Sequence, residues 1–258
     1  MSIKYLKVIE ETPILNTENF ESIFGGEDKK TLNTDEKGHV RAIEFIALVG
    51  MLFEIVKKCK TPFIYQVKCD FYKSSALFID SRFTNLIEHF SSQKLEYSLD
   101  PKTIIEKLKS MIGSKYVWGG NFSLGIAKLL KYYPSKEKLS DDQKDKWSLK
   151  GVDCSGLLFE VTNGYTPRNT SHLLDFKESL KIENLSPLQI SKLVKPLDLL
   201  VYKGHVVVIL DNDFAIESRE NFGVIKTPIL DRLKEIHLTK KPSNIYQKSD
   251  DYVIRRWV

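Results

Sequence analysis

The sequence Gly-Val-Asp-Cys-Ser-Gly-Leu-Leu-Phe places Cys154 between polar and small residues, at the point where an apolar run begins. A cysteine buried for structural reasons needs no such neighbours. The pattern predicts that a helix begins near Cys154, with Asp153 at its N-cap. A helix N-terminus favours the thiolate form of a cysteine, and the thiolate is the reactive form. We therefore interpret Cys154 as a nucleophile.

A cysteine nucleophile needs a base, and the chain contains five histidines. His205 differs from the other four because it follows Gly204 and opens the apolar run Val-Val-Val-Ile-Leu, which is typical of a central strand. A histidine at the start of such a strand can point toward the N-terminus of a helix that packs on the same sheet. We therefore expect Cys154 and His205 to form a pair.

The base in turn needs a group that orients its second ring nitrogen. After the strand of His205 come a turn, Asp-Asn-Asp, and a second strand-like segment, Phe-Ala-Ile-Glu-Ser. If the two segments form a hairpin, Glu217 lies opposite His205. Its carboxylate would then accept the imidazole N–H and stabilise the imidazolium form. Glu217 on a strand that faces solvent is the alternative interpretation.

These residues require helices packed on a sheet, and the pattern along the chain predicts an α+β fold. Short apolar segments separated by turn residues predict strands up to about residue 85, and 83–93 resembles a connecting segment. The run 40–57 fits either one helix or two strands broken at Gly50. A helix is expected from Asp100 to Met111, a second from Cys154, and an antiparallel sheet after it. The polar stretch 121–149 is interpreted as an insertion with one or two short helices.

Composition excludes several classes of function. The net charge of +5 is spread over 258 residues without a basic block, which argues against a nucleic-acid partner. No segment has the apolar length of a membrane span, and the first residues show no export signal, so we expect a cytoplasmic protein.

The three cysteines are too few for a disulfide framework, and their spacing is not that of a zinc site. We expect Cys59 and Cys69 to be reduced, buried strand residues. The predicted chemistry requires neither a metal nor a cofactor.

Taken together, Gly-Val-Asp-Cys-Ser-Gly, the earlier Tyr-Val-Trp-Gly-Gly at 116–120 and the later Gly-His-Val-Val-Val resemble the NlpC-type family of cysteine peptidases. These are papain-like enzymes that cut bacterial cell-wall peptides. The resemblance covers roughly residues 100–258. Two features depart from the family pattern: the stretch between the tyrosine motif and the cysteine is long, and the third position is Glu217 where many relatives have histidine.

The resemblance also implies roles for individual residues. Cys154 is expected to be the nucleophile, His205 the general base and then acid, and Glu217 the residue that orients His205. Tyr116 is expected near the oxyanion or the scissile carbonyl.

Substrate-binding roles follow from the same resemblance. Asp153 and Ser155 would contact the amine and carboxylate ends of the substrate, Trp118 would line the site, and Arg168 would shape the pocket or bind a carboxylate. Plain structural roles remain open for all four.

The segment before residue 90 is similar to the bacterial SH3-like β-barrel domain that precedes the catalytic domain in relatives. In some of them it closes one end of the cleft and selects stem peptides with a free N-terminal L-alanine. Tyr72 and Asp70 are the candidates for that contact, although a structural role is the alternative. The expected domains are therefore 1–90, SH3-like, and 91–258, papain-like with an insertion at 121–149.

The expected function is a cysteine endopeptidase that cuts peptidoglycan stem peptides between γ-D-glutamate and the diamino acid, either meso-diaminopimelate or L-lysine. A cytoplasmic location would favour small recycled peptides as substrates. Two alternatives remain: another papain-like acyl transferase or amidase, and a non-catalytic module that binds wall fragments.

Overall fold

The computed structural model describes residues 4–26, 28–74, 76–88, 97 and 99–258. It contains eighteen strands in these ranges: β1 (Tyr5–Val8), β2 (Thr12–Leu15), β3 (Phe24–Gly25), β4 (Thr31–Leu32), β5 (Ile43–Ala47), β6 (Leu52–Lys58), β7 (Ile64–Lys68), β8 (Leu77–Asp80), β9 (Thr84–Ile87), β10 (Asn121–Phe122), β11 (Gly151–Val152), β12 (Glu178–Ser179), β13 (Leu199–Tyr202), β14 (His205–Ile209), β15 (Phe214–Arg219), β16 (Gly223–Pro228), β17 (Lys241–Pro242) and β18 (Asp251–Arg256).

The same ranges contain α-helices and one short 3₁₀ turn, Ser81–Phe83. The helices are α1 (Phe20–Ile23), α2 (Pro101–Ser110), α3 (Lys128–Tyr132), α4 (Asp141–Trp147), α5 (Cys154–Val161), α6 (Thr170–Leu173), α7 (Pro187–Leu193) and α8 (Ile229–His237). Among the described helices, none combines the length and the apolar character that a membrane span requires.

The chain forms two compact units. The first contains the described residues up to 88 together with 117–151, and the second contains 97–116 and 152–258. The boundary expected at 90 and 91 lies outside the described residues, so the predicted division into domains stays a prediction. The stretch 121–149 contains α3 and α4, as expected, and belongs to the first unit.

An antiparallel sheet of seven strands, in the order β5-β2-β8-β7-β6-β1-β9, forms the first unit. Gly50, with φ of 89°, turns the chain between β5 and β6, which decides the ambiguous run 40–57 in favour of two strands. The sheet ends at β5 and β9, and no ladder in the described part of the chain joins these two strands. A closed SH3-like barrel is therefore not confirmed.

Two local predictions for this unit were wrong. Residues 84–87, expected in a connecting segment, form β9, because this strand pairs its backbone with β1 at the edge of the sheet and needs few apolar side chains. The rest of that segment, 89–93, lies outside the described residues. Cys59 and Cys69 are free, but each lies one residue beyond a strand, and Cys69 is only half-buried.

The second unit confirms the α+β expectation. Its sheet has the order β12-β18-β13-β14-β15-β16, with antiparallel pairs, and β17 runs parallel to β18 at the side. Helices α2 and α5 pack with Val206 and Val208 in one core, and α7 and α8 pack with Val207 and Ile209 in another. Because both faces of β14 are covered, the strand is a continuous apolar run rather than an alternating one.

Candidate active site

Cys154 is the first residue of α5, as predicted from the sequence. Asp153 caps the helix, and its carboxylate accepts a hydrogen bond from the backbone N–H of Gly156 at 2.6 Å. The thiol is buried, with 7% of its residue surface exposed, and its sulfur lies 3.8 Å from the carbonyl oxygen of Gly204. This contact brings the helix N-terminus to the turn that precedes His205.

His205 begins β14 immediately after Gly204, whose φ of 82° allows the tight turn from β13. Burial lowers the pKa of His205. The charge of the Cys154 thiolate, a hydrogen bond to its sulfur and a hydrogen bond to Glu217 outweigh that effect and raise the pKa to about 9. The imidazole is therefore protonated at neutral pH whenever Cys154 is a thiolate, which is the charge arrangement of a cysteine–histidine nucleophile.

Glu217 lies on β15, and the β14–β15 hairpin brings it to His205 as the sequence spacing predicts. Its Oε2 atom is 2.6 Å from Nε2 of His205. Burial, which leaves 2% of the residue exposed, raises the pKa of this carboxyl group, but the hydrogen bonds from His205 and Arg232 lower it further than burial raises it. A charged carboxylate thus binds Nε2 of His205, and Nδ1 is the second ring nitrogen of the imidazole.

Sequence reasoning missed Arg232, which binds the other side of Glu217. Its Nε donates to Oε1 of Glu217 at 2.6 Å, and its Nη2 donates to Oε2 at 2.8 Å. Arg232 lies on α8 between Ile229 and Leu233, within the buried face of the helix. A charged residue inside the apolar stripe of an amphipathic helix is the sequence signal that would have identified it.

Asp153, Ser155 and Arg168 form a buried cluster around the start of α5. Arg168 donates from Nη1 to Asp153 Oδ1 at 3.0 Å and to Ser155 Oγ at 2.9 Å, and from Nη2 to Asp153 Oδ2 at 2.7 Å. The side chain of Arg168 is 2% exposed, whereas that of Asp153 keeps 12% of its surface accessible. The arginine therefore fixes the two residues that flank the nucleophile.

Tyr116 belongs to the second unit, and the carbonyl of the preceding residue, Lys115, accepts a hydrogen bond from the N–H of Val152 at 3.0 Å. Burial, followed by the nearby charges of Asp153 and Cys154, raises the pKa of Tyr116. The phenol therefore keeps its proton throughout the neutral range and remains a potential hydrogen-bond donor.

The three remaining predicted site residues belong to the first unit. Trp118 is 40% exposed, and the guanidinium of Arg41 lies 4.0 Å above its ring. Tyr72 is buried and donates from its hydroxyl group to Glu44 at 2.6 Å. Asp70 is exposed. In the described part of the chain, no group of histidine, cysteine and acidic side chains has the arrangement of a metal site.

No protein-family model matches the chain, and no curated protein matches it. Among solved structures, it is similar to an NlpC/P60 family protein from Bacillus cereus, with 16% identity over 99% of this chain and a TM-score of 0.37. NlpC1 from Trichomonas vaginalis has 12% identity over 98% of this chain and 69% of its own, with a TM-score of 0.36.

A third structure is the P60 domain of an antigen from M. avium subspecies paratuberculosis, with 18% identity over 60% of this chain and 93% of its own, and a TM-score of 0.35. The chain spans 63% of the length of the Bacillus cereus protein.

Proposed function

We propose that the chain is a papain-like cysteine endopeptidase of the NlpC type that hydrolyses the γ-D-glutamyl–diamino acid bond of peptidoglycan stem peptides. The observation that carries this proposal is the set Cys154, His205 and Glu217. It combines a cysteine at a helix N-terminus, a histidine with a raised pKa and a buried carboxylate 2.6 Å from that histidine. The order of the motifs around these residues supports the choice of family.

The proposed reaction is acyl transfer in two halves. The sulfur of Cys154 attacks the γ-carbonyl carbon of the glutamyl residue and forms a tetrahedral oxyanion. The imidazolium of His205 then gives its proton to the leaving nitrogen, the C–N bond breaks, and the diamino acid departs as an amine. Neutral His205 next takes a proton from water, the hydroxide attacks the thioester, and the C–S bond breaks to release the glutamate and the thiolate.

Two donors are proposed to stabilise the oxyanion. The backbone N–H groups at the start of α5 are directed toward the nucleophile end of the helix, where the helix dipole also favours negative charge. Tyr116 supplies the second donor, since its raised pKa keeps the O–H group protonated. Glu217 holds His205 in position and stabilises its positive charge during attack.

Asp153 and Ser155 are proposed to bind the acyl side of the peptide. The accessible part of the Asp153 carboxylate suits a substrate amine, and Arg168 keeps that carboxylate oriented. We further propose that residues 1–90 act as an SH3-like module and that Tyr72, Asp70 and Trp118 take part in substrate binding. The side chain of Tyr72 would have to share its hydroxyl group between Glu44 and the substrate.

The experiment that tests the proposal incubates the purified protein with L-Ala-γ-D-Glu-meso-diaminopimelate and identifies the products by mass spectrometry. Wild type is expected to release L-Ala-γ-D-Glu, and Cys154→Ser is expected to release none. If an N-acetylmuramyl version is cut and the free tripeptide is not, the role is in the intact wall and not in recycling of small peptides. If wild type cuts neither, the proposed substrate is wrong.

A further inference from the structure

Arg232 occupies a buried position of α8 that an amphipathic helix usually fills with an apolar residue. Ile229, Leu233 and Ile236 share this buried face and pack in the core on one side of β14. The side chain of Arg232 is 6% exposed. Burial of a guanidinium costs free energy unless acceptors surround it, so the identity of these acceptors indicates what the arginine holds.

Each of the three nitrogen atoms of this guanidinium has an acceptor. Nε donates to Oε1 of Glu217 at 2.6 Å and Nη2 donates to Oε2 at 2.8 Å, so both oxygens of the carboxylate are bound. Nη1 lies 3.0 Å from Oε2 of Glu235, and Nη2 also donates to the hydroxyl group of Tyr202 at 3.2 Å. A guanidinium that binds both oxygens fixes the orientation of a carboxylate as well as balancing its charge.

Arg232 lies on the face of the sheet opposite to Cys154. Helix α5 with Cys154 packs on one alternating set of β14 side chains, and α8 packs on the other set. An effect of Arg232 on the sulfur must therefore pass through the residues between them. The connection is Glu217, whose Oε2 atom lies 2.8 Å from the arginine and 2.6 Å from Nε2 of His205.

The charge of Glu217 depends on groups from β13, β14, β15 and α8. His205 and Arg232 bind it directly, Tyr202 binds the same guanidinium, and Arg219, two residues along β15, is paired with a glutamate of α8 at 2.9 Å. Burial raises the pKa of Glu217, and the hydrogen bonds from His205 and Arg232 lower it below its ordinary value. Without the arginine, His205 alone would oppose burial, and the carboxyl group would take up a proton at higher pH.

We propose that Arg232 is a positioning residue for the Cys154–His205 pair and that it acts by holding Glu217 as an oriented carboxylate against His205. This inference deepens the proposed function and rests on its assignment of Cys154, His205 and Glu217. A neutral or displaced Glu217 would stabilise the imidazolium less, so Cys154 would form its thiolate only at higher pH.

The test measures the rate at which iodoacetamide alkylates Cys154, as a function of pH, in wild type, Arg232→Met, Arg232→Lys and Glu217→Gln. Arg256→Met is the matched control, because Arg256 binds both oxygens of the buried Asp198 at 2.6 Å and 2.8 Å in the same sheet.

Arg232→Met should react about tenfold more slowly than wild type on the rising part of the pH profile and equally fast at about pH 9, where an ordinary thiol is largely ionised. Arg232→Lys keeps the charge but not the fork, so its rates should lie between those of wild type and Arg232→Met. Arg256→Met should match wild type at every pH.

A double variant shows whether Arg232 acts through Glu217. In the Glu217→Gln background no carboxylate remains to be held, so the addition of Arg232→Met should change the alkylation rate by less than about twofold. An effect of full size in that background, or an Arg232→Met profile that matches Arg256→Met, would overturn the inference. If circular dichroism shows that Arg232→Met does not fold, Arg232→Lys against wild type and the double variant against Glu217→Gln provide the same test.

Kinetics on L-Ala-γ-D-Glu-meso-diaminopimelate separates this inference from the proposed function. Arg232→Met should lower kcat by about tenfold and leave KM unchanged, because the arginine lies on the other face of the sheet from Cys154. A raised KM with an unchanged kcat would mean that Arg232 binds substrate and would overturn the positioning role. If wild type does not cut the tripeptide while the alkylation rates differ as expected, the proposed substrate is wrong and the positioning role stands.

Discussion

Each unit contains a buried carboxylate that an arginine holds with two or more hydrogen bonds, and the comparison shows how one arrangement serves two purposes. In the first unit, Asp80 is 0% exposed and accepts from Arg82 at 2.6 Å and 3.0 Å. In the second, Glu217 is 2% exposed and accepts from Arg232 at 2.6 Å and 2.8 Å. In both pairs the arginine compensates the charge of a carboxylate whose burial alone would be unfavourable.

The difference between the two clusters is the third partner. Tyr133 donates to Asp80 at 2.7 Å, and burial together with the charge of Asp80 raises the pKa of its phenol, so its proton stays fixed. His205 contacts Glu217 at 2.6 Å, and the charge of Cys154 together with hydrogen bonds to Cys154 and Glu217 raises its pKa to about 9. The third partner in the first cluster is a tyrosine whose proton stays fixed, whereas the third partner in the second is a titratable ring next to a sulfur, which supports the reactive role proposed for it.

Removal of the third partner in the second unit should have the largest effect. His205→Ala is expected to reduce kcat on the stem tripeptide by about 10³-fold or more, because the thiolate loses its counter-ion and the leaving nitrogen loses its proton donor. Steady-state kinetics measures this loss. His172→Ala is the control, since His172 is exposed in the same unit, and comparable losses in the two variants would contradict the assignment.

Breaking the other buried pair of the second unit should destabilise the protein. Arg168→Met leaves Asp153 largely buried without its bidentate partner, at an expected cost of about 3–5 kcal/mol in the free energy of unfolding. Urea unfolding followed by circular dichroism measures it. A loss below about 1 kcal/mol would mean that solvent replaces the arginine and that the cluster does not support α5.

Glu217→Gln should change the pH dependence more than the fold. The carboxylate raises the pKa of His205, and the activity needs the protonated ring, so wild-type activity is expected to fall as the pH rises through about 9. In the variant the fall should begin at lower pH, and kcat at neutral pH should drop by about tenfold to a hundredfold. A basic limb at the same pH in both proteins would show that Glu217 does not act on His205.

The corresponding change in the first unit should affect stability alone and give the smallest effect. Tyr133→Phe deletes the O–H donor to Asp80 and leaves Arg82 in place, so we expect a loss of about 1–3 kcal/mol in unfolding free energy. The kcat on the tripeptide should equal that of wild type. A change in the pH profile of activity would contradict the purely structural role of this cluster.

The sequence predicted the reactive cluster better than the structural one, for physical reasons. His205 and Glu217 are joined by one short hairpin, so their proximity follows from local rules, whereas Cys154 was grouped with them through the helix start and the order of the motifs that resemble the NlpC-type family. The partners Asp80 and Tyr133 are far apart in the sequence, and Arg232 reaches Glu217 from a separate helix, so only tertiary packing brings them together. That residues 117–151 belong to the first unit could not be predicted either, because neither composition nor periodicity indicates which sheet a segment packs on.

The most direct test of the central claim compares the three cysteines of the chain. Burial raises the pKa of the Cys69 thiol to about 11 and also raises that of Cys59. The intact protein would be treated with iodoacetamide at about pH 6.5, below the ordinary thiol range, and the labelled peptides mapped by mass spectrometry. We predict that Cys154 is labelled first, although it is less exposed than Cys69, and that His205→Ala abolishes this preference. If Cys154 in wild type reacts as slowly as Cys59 and Cys69, His205 does not activate it and the proposed nucleophile is wrong.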